Sequence, residues 1–350
     1  MSSHFIAECL DCHHKAPYFA SSPNCPNCDG SWREAHYDYI NLSHSLPLLL
    51  HGRPFDLWRY RELLPIRSII PDFSLGEGGT PLIRATNLGM MLGCPNIFIK
   101  DERQGPTHSF KDRQAAVMVA ALKESGVSEV VIASTGNVAI SYSAYAARAG
   151  IKCWAFLTSL VPAAKMREVA IYGTQVIKVT GSYDQTKQVA STFAKQRGIV
   201  QDAGARSVPA IEAMKTIAYE IAEQLTQWLG QQGEVAKGQW AVPDALFVSV
   251  GDGCIIGGVH KGFRDLLRLG WIERMPRIYG VQSEQSAALA SAWRDGLEVP
   301  EPVAATTRAD SISVDAPRDA VKALRAVRDS GGAYITVSDE AILAAMLVGG

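Results

Sequence analysis

The sequence predicts an α/β protein in which parallel sheets are covered by helices on both sides. From Glu129 onward, short β-branched and apolar runs at 130–133, 152–157, 175–179, 245–250 and 277–282 alternate with longer helical stretches such as 184–197 and 208–229. Strands joined through helical crossovers by short connections give parallel sheets buried on both faces. The chain has 350 residues, 47% of them apolar, and a net charge of -1. That length suits about two domains with substantial cores. The near-neutral charge offers no basic field for nucleic acid. No window approaches the ~20 uninterrupted apolar residues of a membrane span. The first residues lack a basic stretch followed by an apolar one, so no secretory signal is read and the cytosol is predicted.

Four of the seven cysteines open the chain as Cys9-x-x-Cys12 and Cys25-x-x-Cys28, with twelve residues between the two pairs. Two such knuckles match a zinc ribbon, in which four thiolates around one metal order a segment too short to build a core. A closed set of four thiolates is structural rather than catalytic. The alternatives are a pair of disulfides, rare in cytosolic chains, and a metal-free ribbon supported by Phe5, Tyr18 and Trp32. His13 and His14 read as solvated bystanders. Residues 36–75 read as a connector interrupted by Pro47, Pro54, Pro65 and Pro71, with one short helix over 55–64. The stretch 76–82, Gly-Glu-Gly-Gly-Thr-Pro-Leu, then makes a turn-rich start to the main body, because its glycines permit unusual backbone angles and its proline stops a helix.

The chain is organised around 106–113, Pro-Thr-His-Ser-Phe-Lys-Asp-Arg. A short strand at 96–100 precedes it and an almost wholly apolar helix over 115–122 follows, so Lys111 sits at a strand-loop-helix junction. Held there among Ser, Thr and backbone N–H groups, an amine can lose solvation and have its pKa lowered, which suits covalent chemistry. Asp112 and Arg113 read as a structural pair at the helix start. Ser134, Thr135, Gly136 and Asn137 follow a strand and open a helix, and Gly251, Asp252, Gly253, Cys254, Ile255 and Ile256 do the same further on. Each turn is an anion site at a helix N-terminus. Two anion sites and one amine suit a phosphorylated aldehyde cofactor and an amino-acid carboxylate.

At these residues the chain resembles the fold type II enzymes that use pyridoxal phosphate (PLP), and among them the threonine synthases. The resemblance covers roughly 70–345 and takes in the 76–82 loop, Lys100-Asp101-Glu102, the lysine loop, Ser134 to Asn137, the stretch 215–221, the glycine loop and 280–284. It implies that Lys111 holds PLP as a Schiff base and moves protons among substrate carbons once a substrate amine displaces it. It implies that Asn137 donates to the phenolic oxygen of the cofactor, although Asn is also a favoured N-cap residue. Ser134, Thr135 and Gly136 would receive the substrate carboxylate, and the backbone of Gly251 to Ile255 would wrap the cofactor phosphate. Asp252 should point away from that dianion. Similar ribbons precede the catalytic body in some threonine synthases.

The resemblance also implies a zinc-ribbon segment at 1–40, a large PLP domain from 41–127 and 207–350, and a mobile small domain at 128–206. Family members are commonly homodimers, and a small amino acid is the expected partner. In two places the chain departs from the pattern. The Asn-Ser pair and Arg that hold the phosphate of the family substrate, O-phosphohomoserine, correspond to Gly204, Ala205 and Ala210, with Arg206 as the nearby replacement. The strand and Thr/Ser-Gly-x-Gly turn that follow the helix at 338–347 in the family are not in this sequence, which is therefore a fragment or lacks the partner of the pyridine nitrogen. The function expected is a PLP-dependent lyase acting on O-phosphohomoserine or a related activated amino acid. A threonine or serine dehydratase or other β/γ-replacement enzyme is the alternative, and a non-catalytic regulatory protein is a third class.

Overall fold

The structure, a computed structural model, describes residues 5–67, 71–134, 136–159, 161–181, 183–202, 204–233 and 239–349. It divides into two compact units, one formed by Met1–Asp38, Leu49–Gly79 and Glu102–Ala213, the other by Tyr39–Leu48, Thr80–Asp101 and Met214–Gly350.

The first unit begins with an antiparallel sheet in the order Lys15–Ala16, Phe5–Cys9, Arg33–Tyr37. Alternation buries Phe5, Ala7 and Cys9 on one face of the middle strand. The main sheet of this unit is parallel, in the order Gln175–Val179, Lys152–Thr158, Glu129–Ala133, Val200–Gln201. Val131 and Phe156 pack on one face with Ala190 and Ala194 of the helix Tyr183–Arg197. On the other face Cys153 meets Ser143 of the helix Asn137–Ala149. That helix packs in turn on Lys111–Glu124, whose residues from Asp112 to Leu122 are all buried. The expected two-sided arrangement is therefore present here.

The second unit holds a parallel sheet in the order Ala245–Ser249, Arg277–Ser283, Tyr334–Val337 and an antiparallel pair, Leu82–Arg84 with Phe98–Lys100. The helices Cys254–Arg268 and Ala320–Asp329 pack against Arg277–Ser283. Phe247, 66% exposed, stacks on Tyr279 with ring centroids 5.0 Å apart.

Three elements differ from the sequence reading. The connector contains a helix, Tyr39–Leu50, with Pro47 inside it. The short helix expected over 55–64 is a 3-10 turn, Leu57–Leu63, whose first N–H groups include that of Arg59 bonded to Asp56 Oδ1 at 3.0 Å. The long helix expected over 208–229 is broken into Val208–Glu212, a 3-10 turn Ala213–Lys215, and Thr216–Gln231. In the second unit the helix Cys254–Arg268 passes this turn at glycine distance. A Cβ on Gly258 would overlap Met214, and one on Gly262 would overlap the carbonyl oxygen of Lys215.

Beside that crossing lies a buried ionic cluster. Lys215 and Asp265, both fully buried, approach at 3.0 Å, and Lys261 pairs with the other carboxylate oxygen. Tyr39 and Tyr219 each donate a hydroxyl to Asp265 at 2.7 Å. Burial alone would raise the Asp265 carboxyl pKa, but Lys215 and then Lys261 outweigh it and hold the group well below the usual carboxylate range. Because the folded value is depressed, its stabilisation is in place above the unfolded value, about pH 4, and drains away as the pH falls below it. Asp265→Asn, which leaves the two ammonium groups without their counter-charge, should cost about 3–5 kcal/mol in urea unfolding and flatten the acid limb of the stability profile.

Candidate active site

In the first unit two loops are bonded to one face of the helix Asn137–Ala149. The lysine loop is the first. Asp112, buried, accepts the Thr107 N–H at 2.8 Å and the Thr107 hydroxyl, and the Thr107 Oγ also lies 2.7 Å from Ser141 Oγ. Gly105 is small for a reason: a Cβ there would press on Asp112 Oδ2 at 2.5 Å. Arg113 does not pair with Asp112 as the sequence suggested. It forks onto Glu102, with Nε at 2.7 Å and Nη2 at 2.8 Å. The glycine-rich loop at 76–79 is the second. Glu77, fully buried, accepts from Trp58 Nε1 at 2.6 Å, Tyr145 OH at 2.9 Å, the Leu75 N–H at 2.9 Å and Ser74 Oγ at 3.2 Å. Burial still pushes its carboxyl pKa up despite these donors. Ser141 and Tyr145 are one helical turn apart and so share a face. Neither contact has a sequence signature, since each joins residues more than thirty positions apart.

Lys111 is the first residue of its helix and is half-buried, with Nζ 4.5 Å from the centroid of the Phe110 ring and 3.4 Å from Gln114 Oε1. Two residues earlier, the buried Ser109 hydroxyl has no hydrogen-bond partner among the described residues. Asn137 opens its helix with its side chain exposed, and Gly136, not Asn137, occupies the N-cap. A Cβ on Gly136 would meet no atom of the described residues within 4 Å, so space is open beside this helix start. Ser134, buried, turns its Oγ to the Gly136 N–H at 3.4 Å. Thr135 lies outside the described residues. Arg206 is exposed on the 3-10 turn Gly204–Arg206, its guanidinium 5.7 Å from the centroid of the Trp32 ring, while Ala205 and Ala210 are buried.

In the second unit the glycine loop runs from the strand Ala245–Ser249 into the helix Cys254–Arg268, with Gly253 at φ +93° as its N-cap. A side chain at Gly253 would be strained by that angle and would press on Ala323. Asp252 is turned to the segment before Ala320: its Oδ1 accepts the Arg318 N–H at 3.2 Å and its carbonyl the Asp319 N–H at 2.9 Å. Cys254 is buried at the first helical position and Ile255 is half-buried. Two other motif residues form an ion pair in this unit, Lys100 Nζ reaching Glu220 Oε2 at 2.6 Å.

The ribbon brings Cys9, Cys12, Cys25 and Cys28 together with all four sulfurs within 4.8 Å of one another. The cysteines are free, with Cys9 and Cys28 sulfurs 3.6 Å apart and those of Cys12 and Cys25 3.7 Å apart. A disulfide needs ~2.05 Å, whereas four thiolates at ~2.3 Å from one zinc stand about 3.8 Å apart. The two knuckles are copies of each other. The N–H of His13 bonds the carbonyl of Cys9 and that of Asp29 the carbonyl of Cys25, and both residues sit at φ 59°.

The first unit thus holds an amine at a helix head close in sequence to a buried hydroxyl, and the second unit holds a glycine loop at a helix N-terminus. A family profile described as pyridoxal-phosphate dependent enzyme matches residues 73–348. The threonine synthase of Methanocaldococcus jannaschii is 35% identical over 322 residues, covering 90% of this chain and 75% of that protein. That of Methanosarcina acetivorans is 32% identical over 340 residues, covering 97% and 80%. A solved structure of maize serine racemase superposes with a TM-score of 0.61 at 25% identity, over 76% of this chain and 74% of that one. The chain belongs to the pyridoxal-phosphate-dependent enzymes, within the threonine synthase group, and is a PLP-dependent lyase.

Tyr145→Phe removes one of the donors to buried Glu77 and should cost about 1–3 kcal/mol in denaturant unfolding. The loss should be smaller in a Glu77→Gln background, where that charge is already gone.

Proposed function

We propose that this lyase forms threonine from O-phosphohomoserine, with Lys111 as the covalent anchor of PLP and the group that carries protons. The observation that supports this best is the contact between Thr107 and Ser141 at 2.7 Å, which binds the lysine loop to the helix that starts at Asn137. Bound PLP supplies an electron sink for the charge that develops on substrate carbons. The Lys111 amine would be the group that takes the proton from the α carbon of the substrate and returns protons along its chain. Ser134 and the Gly136 N–H receive the substrate carboxylate, with Thr135 as the third member. The exposed Asn137 amide donates to the cofactor oxygen without adding charge. The N–H groups from Gly251 to Ile255 hold the cofactor phosphate, and the turning of Asp252 to the Arg318 N–H keeps a like charge away from it. Arg206 receives the phosphate of the substrate.

One observation favours a second reading. Two of the positions matched to the family's phosphate ligands are Ala205 and Ala210, both buried and without a donor. If Arg206 does not serve, a dehydratase or replacement enzyme acting on an uncharged side chain fits better. Beyond the reaction, we propose a structural zinc on Cys9, Cys12, Cys25 and Cys28, a cytosolic homodimer, and movement of 128–206 as a body when substrate binds.

Lys111→Ala should abolish the visible absorbance of covalently held cofactor and lower turnover at least about a thousandfold. Retained turnover would remove Lys111 from its role. Arg206→Ala should lower kcat/KM for O-phosphohomoserine by roughly tenfold to a hundredfold, the worth of one charge-assisted contact. An unaffected variant that prefers threonine or an O-acetyl amino acid would establish the second reading. Elemental analysis should find one zinc per chain, lost in Cys9→Ser together with stability, while the protein that remains folded keeps its kcat.

A further inference from the structure

Val200–Gln201 lies beside Glu129–Ala133 as a parallel neighbour, and the Asp202 N–H bonds the Val131 carbonyl at 2.9 Å, so the carboxyl ends of two adjacent strands point the same way. In open α/β sheets ligands are bound outside such strand ends. The segment from Gly204 to Glu212 is gripped by the ribbon. Glu212, buried, accepts the Ala35 N–H at 3.1 Å and the Tyr37 hydroxyl at 3.4 Å. Arg206 lies over the half-buried Trp32, whose carbonyl accepts the Leu10 N–H at 2.9 Å from inside the first cysteine knuckle.

An exposed arginine ordinarily samples many rotamers, and ordering it costs binding energy. A guanidinium held over an indole ring has fewer rotamers left to lose, and its planar fork suits two parallel bonds to a phosphate. We propose that the ribbon takes part in substrate selection: Trp32 is a positioning residue that holds Arg206 ready for the phosphate-ester leaving group of an amino-acid substrate. This rests on the assignment of Arg206 to the substrate phosphate. It gives the ribbon a task beyond its own folding, because the backbone of Trp32 is fixed by the knuckle that would carry the metal.

The test is a double-mutant cycle on the full-length holoenzyme with Trp32→Ala, Arg206→Ala and both. Each protein is read by kcat and KM for O-phosphohomoserine, by calorimetric binding of inorganic phosphate, and by zinc content. Trp32→Ala should raise KM and the phosphate Kd about two- to fivefold, the equivalent of ~0.5–1 kcal/mol, with kcat and zinc unchanged. Trp32→Phe, which keeps an aromatic face and guards against failure to fold, should stay within about twofold of the parent. In the Arg206→Ala background Trp32→Ala should add nothing. Additive effects, an unaltered phosphate Kd in Trp32→Ala, or a loss of kcat accompanied by loss of zinc would each overturn the positioning role while leaving Arg206 in place. Phosphate binding that survives Arg206→Ala intact would instead remove Arg206 from the substrate site, and the role of Trp32 with it.

Discussion

The first unit depends on a buried negative charge that has been surrounded rather than avoided. Glu77 is fully buried and meets donors from four residues, Ser74, Leu75, Trp58 and Tyr145. Removing a carboxylate from water is costly, and only a complete set of donors makes it tolerable. Satisfying it draws the glycine-rich loop, the 3-10 turn that carries Trp58 and the helix Asn137–Ala149 to one point. One turn earlier on that helix, Ser141 meets Thr107 and so fixes the loop of Lys111. The loops of the lysine and of the glycines are thus tied to one helix face by polar contacts, in addition to the packing of the helices Lys111–Glu124 and Asn137–Ala149.

The glycines of the second loop have a double explanation. Backbone approach to a phosphate calls for small residues, and that was legible in the sequence. The protein imposes its own demand as well: a Cβ on Gly251 would lie 3.2 Å from the Cα of Ile312, and one on Gly257 would lie 3.1 Å from the Cβ of Lys322. The loop is pressed against the chain that follows it, which is why Asp252 finds its partner at Arg318.

How much was legible follows the range of the interactions. The strands at 175–179 and 152–157 and the burial of 115–122 follow from local periodicity and were read within a residue or so. The cysteine knuckles follow from spacing. The helix Tyr39–Leu50 was missed because Pro47 is a helix breaker by propensity, a weak prior that tertiary packing overrode. The break at Ala213–Lys215 was missed because its sequence is helical throughout; its tight turn lies where another helix, distant in sequence, comes to glycine distance. Adjacency in the sequence suggests a pair of Asp112 and Arg113, but neighbours in sequence point in different directions on a helix. Their partners, Thr107 and Glu102, come from the preceding loop.

The crossing at Gly258 and Gly262 lies close to the N-terminus of the same helix, where the proposed phosphate loop ends. The two glycines lie on one face, four residues apart, and let the helix Cys254–Arg268 sit directly on the turn around Met214 and Lys215. A rigid helix behaves as a lever, so an added methyl at either glycine displaces both ends of the rod. Its N-terminal N–H groups would then be aimed elsewhere, although no atom of the glycine loop had been altered. The aim of the proposed phosphate loop is in this sense set about one to two helical turns away, by residues with no side chain and no chemistry of their own.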